Sequence, residues 1–281
     1  MAPLAEVVAR NLAAVRARIA AAAARCGRQA SDIRLVAVTK YVDVEVTRAL
    51  VDAGCLDLGE SRPQALWQKA AALDRPDVRW HLVGHLQRNK VARTLPLTWL
   101  VHSIDSERLL AAVDGEAERL GRRQAVLLEV NVSGEAAKHG LSPAELPGIV
   151  GRLGDFRHVD VRGLMAMAGL EGDAATARAD FARLRRLRDE VRAPLAGSAA
   201  EAGTSLSSDL PRADTVAGSA GTVDSSSAIS SSAISRSGEP GGGWLAELSM
   251  GMSGDYEIAI EEGATIVRVG SALFEGLDIG E

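Results

Sequence analysis

Cysteine is scarce in this chain: Cys26 and Cys55 are the two among 281 residues. They stand far apart with no Cys-x-x-Cys spacing, so neither a disulfide framework nor a cysteine-based zinc site is indicated, and no metal ligand set is read from the sequence. That usage fits a reducing, cytoplasmic setting. A basic surplus is also missing, since the formal net charge is -5, which argues against a nucleic-acid surface. No apolar stretch is long enough to span a membrane. No Gly-x-Gly-x-x-Gly follows the first strand-like segment, which ends in Lys40-Tyr41, and this counts against a doubly wound dinucleotide fold. What is there, 47% hydrophobic and 25% charged residues, is ordinary soluble globular composition, enough for one large core or two small ones.

The Ala-rich stretch from Ala5 to Arg25 carries Arg10, Arg16, Arg18 and Arg25, as an organelle transit peptide would. It lacks serine and has Glu6 in its first turn, so it reads as an amphipathic helix of the mature domain. Beyond it, strand-like and helix-like segments alternate. Strands are expected at Arg34–Lys40, Leu56–Glu60, Val78–Gly84, Trp99–Ile104, Ala125–Val132, Val159–Met167, Glu247–Gly251 and Thr265–Gly270. Helices are expected at Val44–Ala53, Arg62–Leu73, Gln87–Arg93, Ser106–Leu120, Pro143–Leu153, Ala174–Val191 and Asp255–Glu262. Repeated βα units imply a parallel sheet, and this count and chain length match a (β/α)8 TIM barrel with an extra N-terminal helix. One domain is expected over residues 1–281, interrupted at about 196–243 by a Ser-, Gly-, Ala- and Asp-rich segment. With almost no periodic apolar residues, that segment reads as a flexible insertion, whose deletion is expected to leave ligand binding nearly intact.

In such a barrel, function gathers at the C-terminal ends of the strands. Lys40 closes the apolar run Leu35-Val36-Ala37-Val38. An amine at the edge of a core is partly desolvated, which lowers its pKa and favours attack on a carbonyl. At the last strand end, Arg268-Val269-Gly270-Ser271 runs into a short helix, a phosphate-cradle pattern of glycine and free backbone N–H groups. Ser249, Gly251 and Ser253 of the neighbouring end could add donors. A Schiff-base lysine at one side and a phosphate cradle at the other describe a single ligand, pyridoxal 5′-phosphate.

The same residues carry a family resemblance. The motifs are Ala37-Val38-Thr39-Lys40, Leu58-Gly59-Glu60, Trp80-His81-Leu82-Val83-Gly84-His85-Leu86-Gln87-Arg88-Asn89-Lys90, Ser103-Ile104-Asp105, Asn131-Val132-Ser133 with Lys138-His139-Gly140, and Arg162-Gly163-Leu164-Met165. The most distinctive are Leu248-Ser249-Met250-Gly251-Met252-Ser253-Gly254-Asp255 and Val267-Arg268-Val269-Gly270-Ser271-Ala272-Leu273-Phe274. Together they resemble the pyridoxal phosphate homeostasis proteins, the YggS/PROSC family. The resemblance implies a barrel like the N-terminal domain of alanine racemase, with Lys40 as the covalent lysine. It also implies Ser249, Gly270 and Ser271 at the phosphate, Arg268 facing the pyridine nitrogen, and His81, Met165 and Ser61 around the ring. Ser61 departs from the family, which usually has a longer Asn there.

Arg268 bears on activity. A fixed guanidinium beside the ring nitrogen disfavours the protonated pyridine that makes the best electron sink. Racemisation also needs a second acid/base group, and the family's racemases take a Tyr for it from an additional β-domain. This chain has two tyrosines, Tyr41 and Tyr256, and no residues left for such a domain. The expected role is therefore cofactor homeostasis without strong catalysis, as a monomer that possesses apo-enzymes of the same cofactor as potential partners. The competing readings are an amino-acid racemase or decarboxylase of this fold, and a Schiff-base aldolase acting on a sugar phosphate without cofactor.

Overall fold

The computed structural model describes residues 3–135, 139–169, 173–202 and 245–277, with the side chains of 194–202 aside. Helix α1 (Leu4–Arg25) places Val8, Leu12, Val15 and Ile19 on one buried stripe at helical spacing. β1 (Arg34–Val38) and β2 (Asp57–Glu60) are joined through α2 (Val44–Asp52), whose first turn is capped by Asp43 Oδ1 accepting from Val46 N at 2.9 Å. α3 (Pro63–Leu73) opens with Pro at its first position and leads to β3 (Arg79–Leu82). α4 (Val91–Thr94), β4 (Leu100–Ile104), α5 (Glu107–Arg119), β5 (Gln124–Glu129), α6 (Leu146–Gly151) and β6 (Val159–Met165) continue the alternation. α7 (Ala174–Ala202), β7 (Glu247–Ser249), α8 (Tyr256–Glu261) and β8 (Ile266–Val269) complete it.

The eight strands are parallel and close in chain order, with β8 beside β1 in the register Arg34 to Ile266 through Ala37 to Val269. This is the (β/α)8 barrel read from the sequence. Burial on both faces shows in the apolar runs of β1 and β5, whereas β2 (Asp57–Glu60) and β3 (Arg79–Leu82) carry polar residues and β6 alternates buried and half-buried positions over its first half. Val36, Leu100, Ala125, Leu127, Met165 and Ile266 cluster separately from the large core between strands and helices. Gly163 is required on β6: a Cβ there would fall 1.8 Å from the Glu247 carbonyl oxygen on β7.

The boundaries differ in instructive ways. β1 stops at Val38, two residues before Lys40, because the chain turns there: Val42 N donates to Thr39 O. β5 stops at Glu129, where the extended expectation ran to Val132. The helix expected at Gln87–Arg93 is a 3-10 turn, Arg88–Lys90, followed by the single-turn α4. α7 runs on to Ala202, into the start of the segment read as an insertion, and residues 203–244 lie outside the described residues. Among the described residues, no helix is long and apolar enough to cross a membrane.

Candidate cofactor site

A cleft of about 430 Å³ opens at the C-terminal mouth of the barrel, within the size range of small-molecule sites. Its walls are largely apolar, from Val38, Val83, Met167, Met252 and Phe274, and its polar groups come from the strand ends. A wider hollow, about 950 Å³, lies at the opposite mouth among Arg34, Asp57, Arg79 and Glu247. Side chains at that N-terminal face brace the barrel. Arg79, for example, grips Asp57 with two bonds of 2.8 and 2.6 Å.

Lys40 lies on the rim of the cleft, exposed, with Nζ 4.6 Å from the centre of the Tyr41 ring. The desolvation expected at a strand end is therefore not what the fold provides, since the turn after Val38 carries the amine out to solvent. The backbone beside it is fixed from below. Lys69 Nζ donates to Thr39 O at 2.6 Å and pairs with Glu60 Oε1 at 2.6 Å, and Thr39 Oγ1 donates to the same oxygen at 2.7 Å. All three side chains are buried, so the residue preceding Lys40 is held by an ion pair inside the protein.

Beside β1, β8 ends in the turn Gly270–Ser271, close to the Val38 carbonyl. Gly270 N donates to Ser253 Oγ at 3.1 Å, and Ala272 N reaches the same hydroxyl at 3.5 Å. Both amides thus turn toward Ser253, and Ser253, Gly270 and Ser271 line this end of the cleft. The loop that brings Ser253 there depends on Gly251, whose φ is +91° and where a Cβ would meet Ala259 Cβ at 2.6 Å.

Of the residues expected at the site, Lys40, Ser61, Arg268, Gly270 and Ser271 line the cleft, while Ser249, His81 and Met165 do not. Those three are buried below it. Met165 packs in the interior apolar cluster. Ser249 Oγ accepts from Arg268 Nη1 at 2.7 Å and lies 2.8 Å from His102 Nδ1. His102 Nε2 is 2.9 Å from His81 Nδ1, and His81 Nε2 is 3.0 Å from Asp57 Oδ1. Burial lowers the pKa of both imidazoles, His102 the more strongly because His81 and Arg268 add to it. Both are thus neutral, with one proton each. The ionised Asp57 carboxylate can only accept, so His81 donates to it from Nε2, His102 donates from Nε2 to His81 Nδ1, and the Ser249 hydroxyl proton points to His102 Nδ1. Burial alone would raise the Asp57 carboxyl, but Arg79 and His81 outweigh it and hold the group well below the ordinary range.

Arg268 also donates from Nη2 to Ala166 O at 3.0 Å. Burial lowers its pKa to about 10, so it is still a cation at neutral pH. Glu129, absent from the sequence reading, lines the cleft from the end of β5. Burial and then the nearby Asp105 charge raise its carboxyl to about 7. Its position could be missed because the expected strand ran past it.

Residues 10–217 match the family model described as the alanine racemase N-terminal domain. The pyridoxal phosphate homeostasis protein of Deinococcus radiodurans is 36% identical over 265 residues, spanning 94% of this chain and 99% of that protein. The structure of PipY from Synechococcus elongatus with PLP bound is 30% identical with a TM-score of 0.70, covering 95% of this chain and 99% of PipY. An alanine racemase from Streptomyces coelicolor shares the fold alone, at 19% identity and a TM-score of 0.58, with 58% of its length covered. The chain belongs to the pyridoxal phosphate homeostasis protein family, on the barrel of the alanine racemase N-terminal domain.

Proposed function

We propose that this protein binds pyridoxal 5′-phosphate in the cleft, covalently through Lys40 Nζ, and serves in cofactor homeostasis. The observation that carries this reading is the pairing, in one apolar-walled cleft, of an exposed primary amine with Ser253 and the Gly270–Ser271 turn. The residues fit the group: an amine for the aldehyde, Val38, Val83 and Met252 for the ring, and backbone N–H groups for the phosphate. The names of the relatives, and PipY with PLP bound, support it. When bound, the cofactor supplies a conjugated aldehyde able to withdraw electrons.

In this reading Lys40 holds the cofactor, and Gly270, Ser271 and Ser253 orient its phosphate. Arg268 faces the ring nitrogen and Ser61 borders the ring. Ser249, His81 and Met165 act from beneath, Ser249 and His81 by fixing Arg268 and Met165 by filling the barrel. Arg268 is cationic and aimed by two bonds, so it disfavours a protonated ring nitrogen and with it strong catalysis. Tyr256 is buried and not part of the cleft lining, which leaves Tyr41 as its tyrosine. The finer picture is a cytoplasmic monomer that passes cofactor to apo-enzymes.

One observation favours a second reading, a racemase or decarboxylase of the same fold: Glu129 faces the cleft with a carboxyl poised near neutrality. Purified protein separates the readings. Cofactor addition should give a visible absorption band, and borohydride should fix the label on Lys40, with neither effect in Lys40→Ala. Absence of both in the native chain would overturn cofactor binding. Loss of optical rotation across a panel of amino acids would establish the enzyme instead.

A further inference from the structure

Three loops on the rim of the cleft bring two imidazoles and a carboxylate together. His85 follows β3, Asp105 follows β4 and His139 follows β5. His85 Nδ1 lies 2.9 Å from Asp105 Oδ2, and His139 Nδ1 lies 4.0 Å from the same oxygen. The two rings stack with centroids 4.6 Å apart and planes 18° from parallel. One ligating atom from each of the three residues falls within 4.8 Å of the other two.

We propose that His85, Asp105 and His139 form a divalent transition-metal site of the zinc class, with its remaining position open to the cleft. Two imidazole nitrogens and one carboxylate oxygen are a recurrent protein ligand set for zinc sites that keep a fourth position free. Imidazole nitrogen selects such ions over magnesium and calcium, which prefer all-oxygen shells. A tetrahedral ion with bonds of about 2.0–2.1 Å needs ligand atoms roughly 3.3 Å apart. The His85–Asp105 pair, at 2.9 Å, is already inside that spacing, and the widest separation, within 4.8 Å, exceeds it by at most about 1.5 Å, a gap that exposed imidazoles close by rotating about χ1 and χ2. Asp105 is already oriented: Ser106 Oγ donates to Oδ1 at 3.1 Å, which leaves Oδ2 to face the histidines. His85 and His139 both line the cleft, so the open position faces the same space as Lys40. An amine or carboxylate arriving there could complete the coordination shell.

The site is independent of the cofactor reading, and so is its test. The full chain, without affinity tag or cofactor, is titrated with zinc chloride by calorimetry, and separately with cobalt(II), whose visible bands report tetrahedral nitrogen and oxygen ligation. One ion per chain is expected. His85→Ala and His139→Ala should each weaken binding by at least about tenfold. Both side chains are exposed, so the metal-free melting temperatures should stay at the native value. Lys40→Ala should bind zinc as the native chain does, even though it abolishes covalent cofactor attachment. No ion bound below millimolar zinc, or native affinity in both histidine variants, would overturn the proposal. A loss of zinc in Lys40→Ala would overturn it too, by assigning the ion to the amine.

Discussion

Arg268 Nη1 donates to Ser249 Oγ over 2.7 Å, and through that hydroxyl the cation lining the cleft joins a chain of buried groups reaching Asp57. The serine is the one member that can accept from the guanidinium and donate to an imidazole at the same time. Asp57, an ionised carboxylate that can only accept, sets the direction of every proton in the chain. Ser249→Ala leaves Arg268 Nη1 and His102 Nδ1 without this partner inside the barrel. The expected cost is about 1–3 kcal/mol of stability, read from urea denaturation at neutral pH. An unchanged midpoint would mean that water replaces the hydroxyl and that the chain is not closed to solvent.

The support beneath Lys40 predicts a larger effect. Lys69 and Glu60 are buried, and their 2.6 Å contact neutralises two charges inside the protein. Lys69→Met removes one partner and strands the other, which costs about 3–5 kcal/mol. Adding Glu60→Gln should recover much of that loss, because the surviving group is then neutral. Paired denaturation curves test this. A double variant no more stable than Lys69→Met would show that packing, not charge, dominates at this position. In both variants the Thr39 carbonyl loses its Lys69 donor, so covalent cofactor attachment at Lys40 should slow even where the fold survives.

The barrel was legible because its most buried strands leave apolar runs, Leu35–Val38 and Val126–Leu128, with no alternation to disguise them, and because Ile266–Val269 is interrupted by Arg268 alone. The depth of each side chain was not. Ser249, His81 and Met165 sit on strands whose ends border the cleft, yet they project into the barrel below it, and that layer depends on the stagger between neighbouring strands. The desolvation argument that singled out Lys40 does not hold, since a tight turn exposes it where a longer strand would have half-buried it. Glu129 escaped notice because the run Leu127–Val132 gives no sign that the strand ends there. The His85, Asp105 and His139 group has no sequence spacing to betray it, being assembled from three separate βα loops.

Gly251 offers a test of the cradle. Its φ of +91° and the 2.6 Å approach to Ala259 Cβ leave no room for a side chain. Gly251→Ala must move the Met252–Gly254 segment, strain of about 1–3 kcal/mol. Because Ser253 rides on that segment, the phosphate end of the cleft should open. The expected result is a lower melting temperature together with a several-fold loss of affinity for pyridoxal phosphate, and a smaller loss for pyridoxal, which has no phosphate. Equal losses for the two ligands would move the cradle away from Ser253 and Gly270.

Glu129 gives a pH dependence of defined sign. Its carboxyl is raised from 4.5 to about 7 in the folded protein, by burial first and by Asp105 second. Between those values the folded state holds a proton that the unfolded state has lost, so stability falls as pH rises, and the loss is complete above about pH 7. Below 4.5 both states are protonated and the penalty vanishes. The rise corresponds to about 3 kcal/mol. Glu129→Gln cannot ionise, so it should exceed the native protein by up to that amount near pH 8 and match it near pH 4.5. Urea denaturation of the two proteins across this range isolates the term, because every other carboxylate is common to both. A difference that stayed constant with pH would mean that Glu129 is solvated in the cleft and ionises as an ordinary surface glutamate.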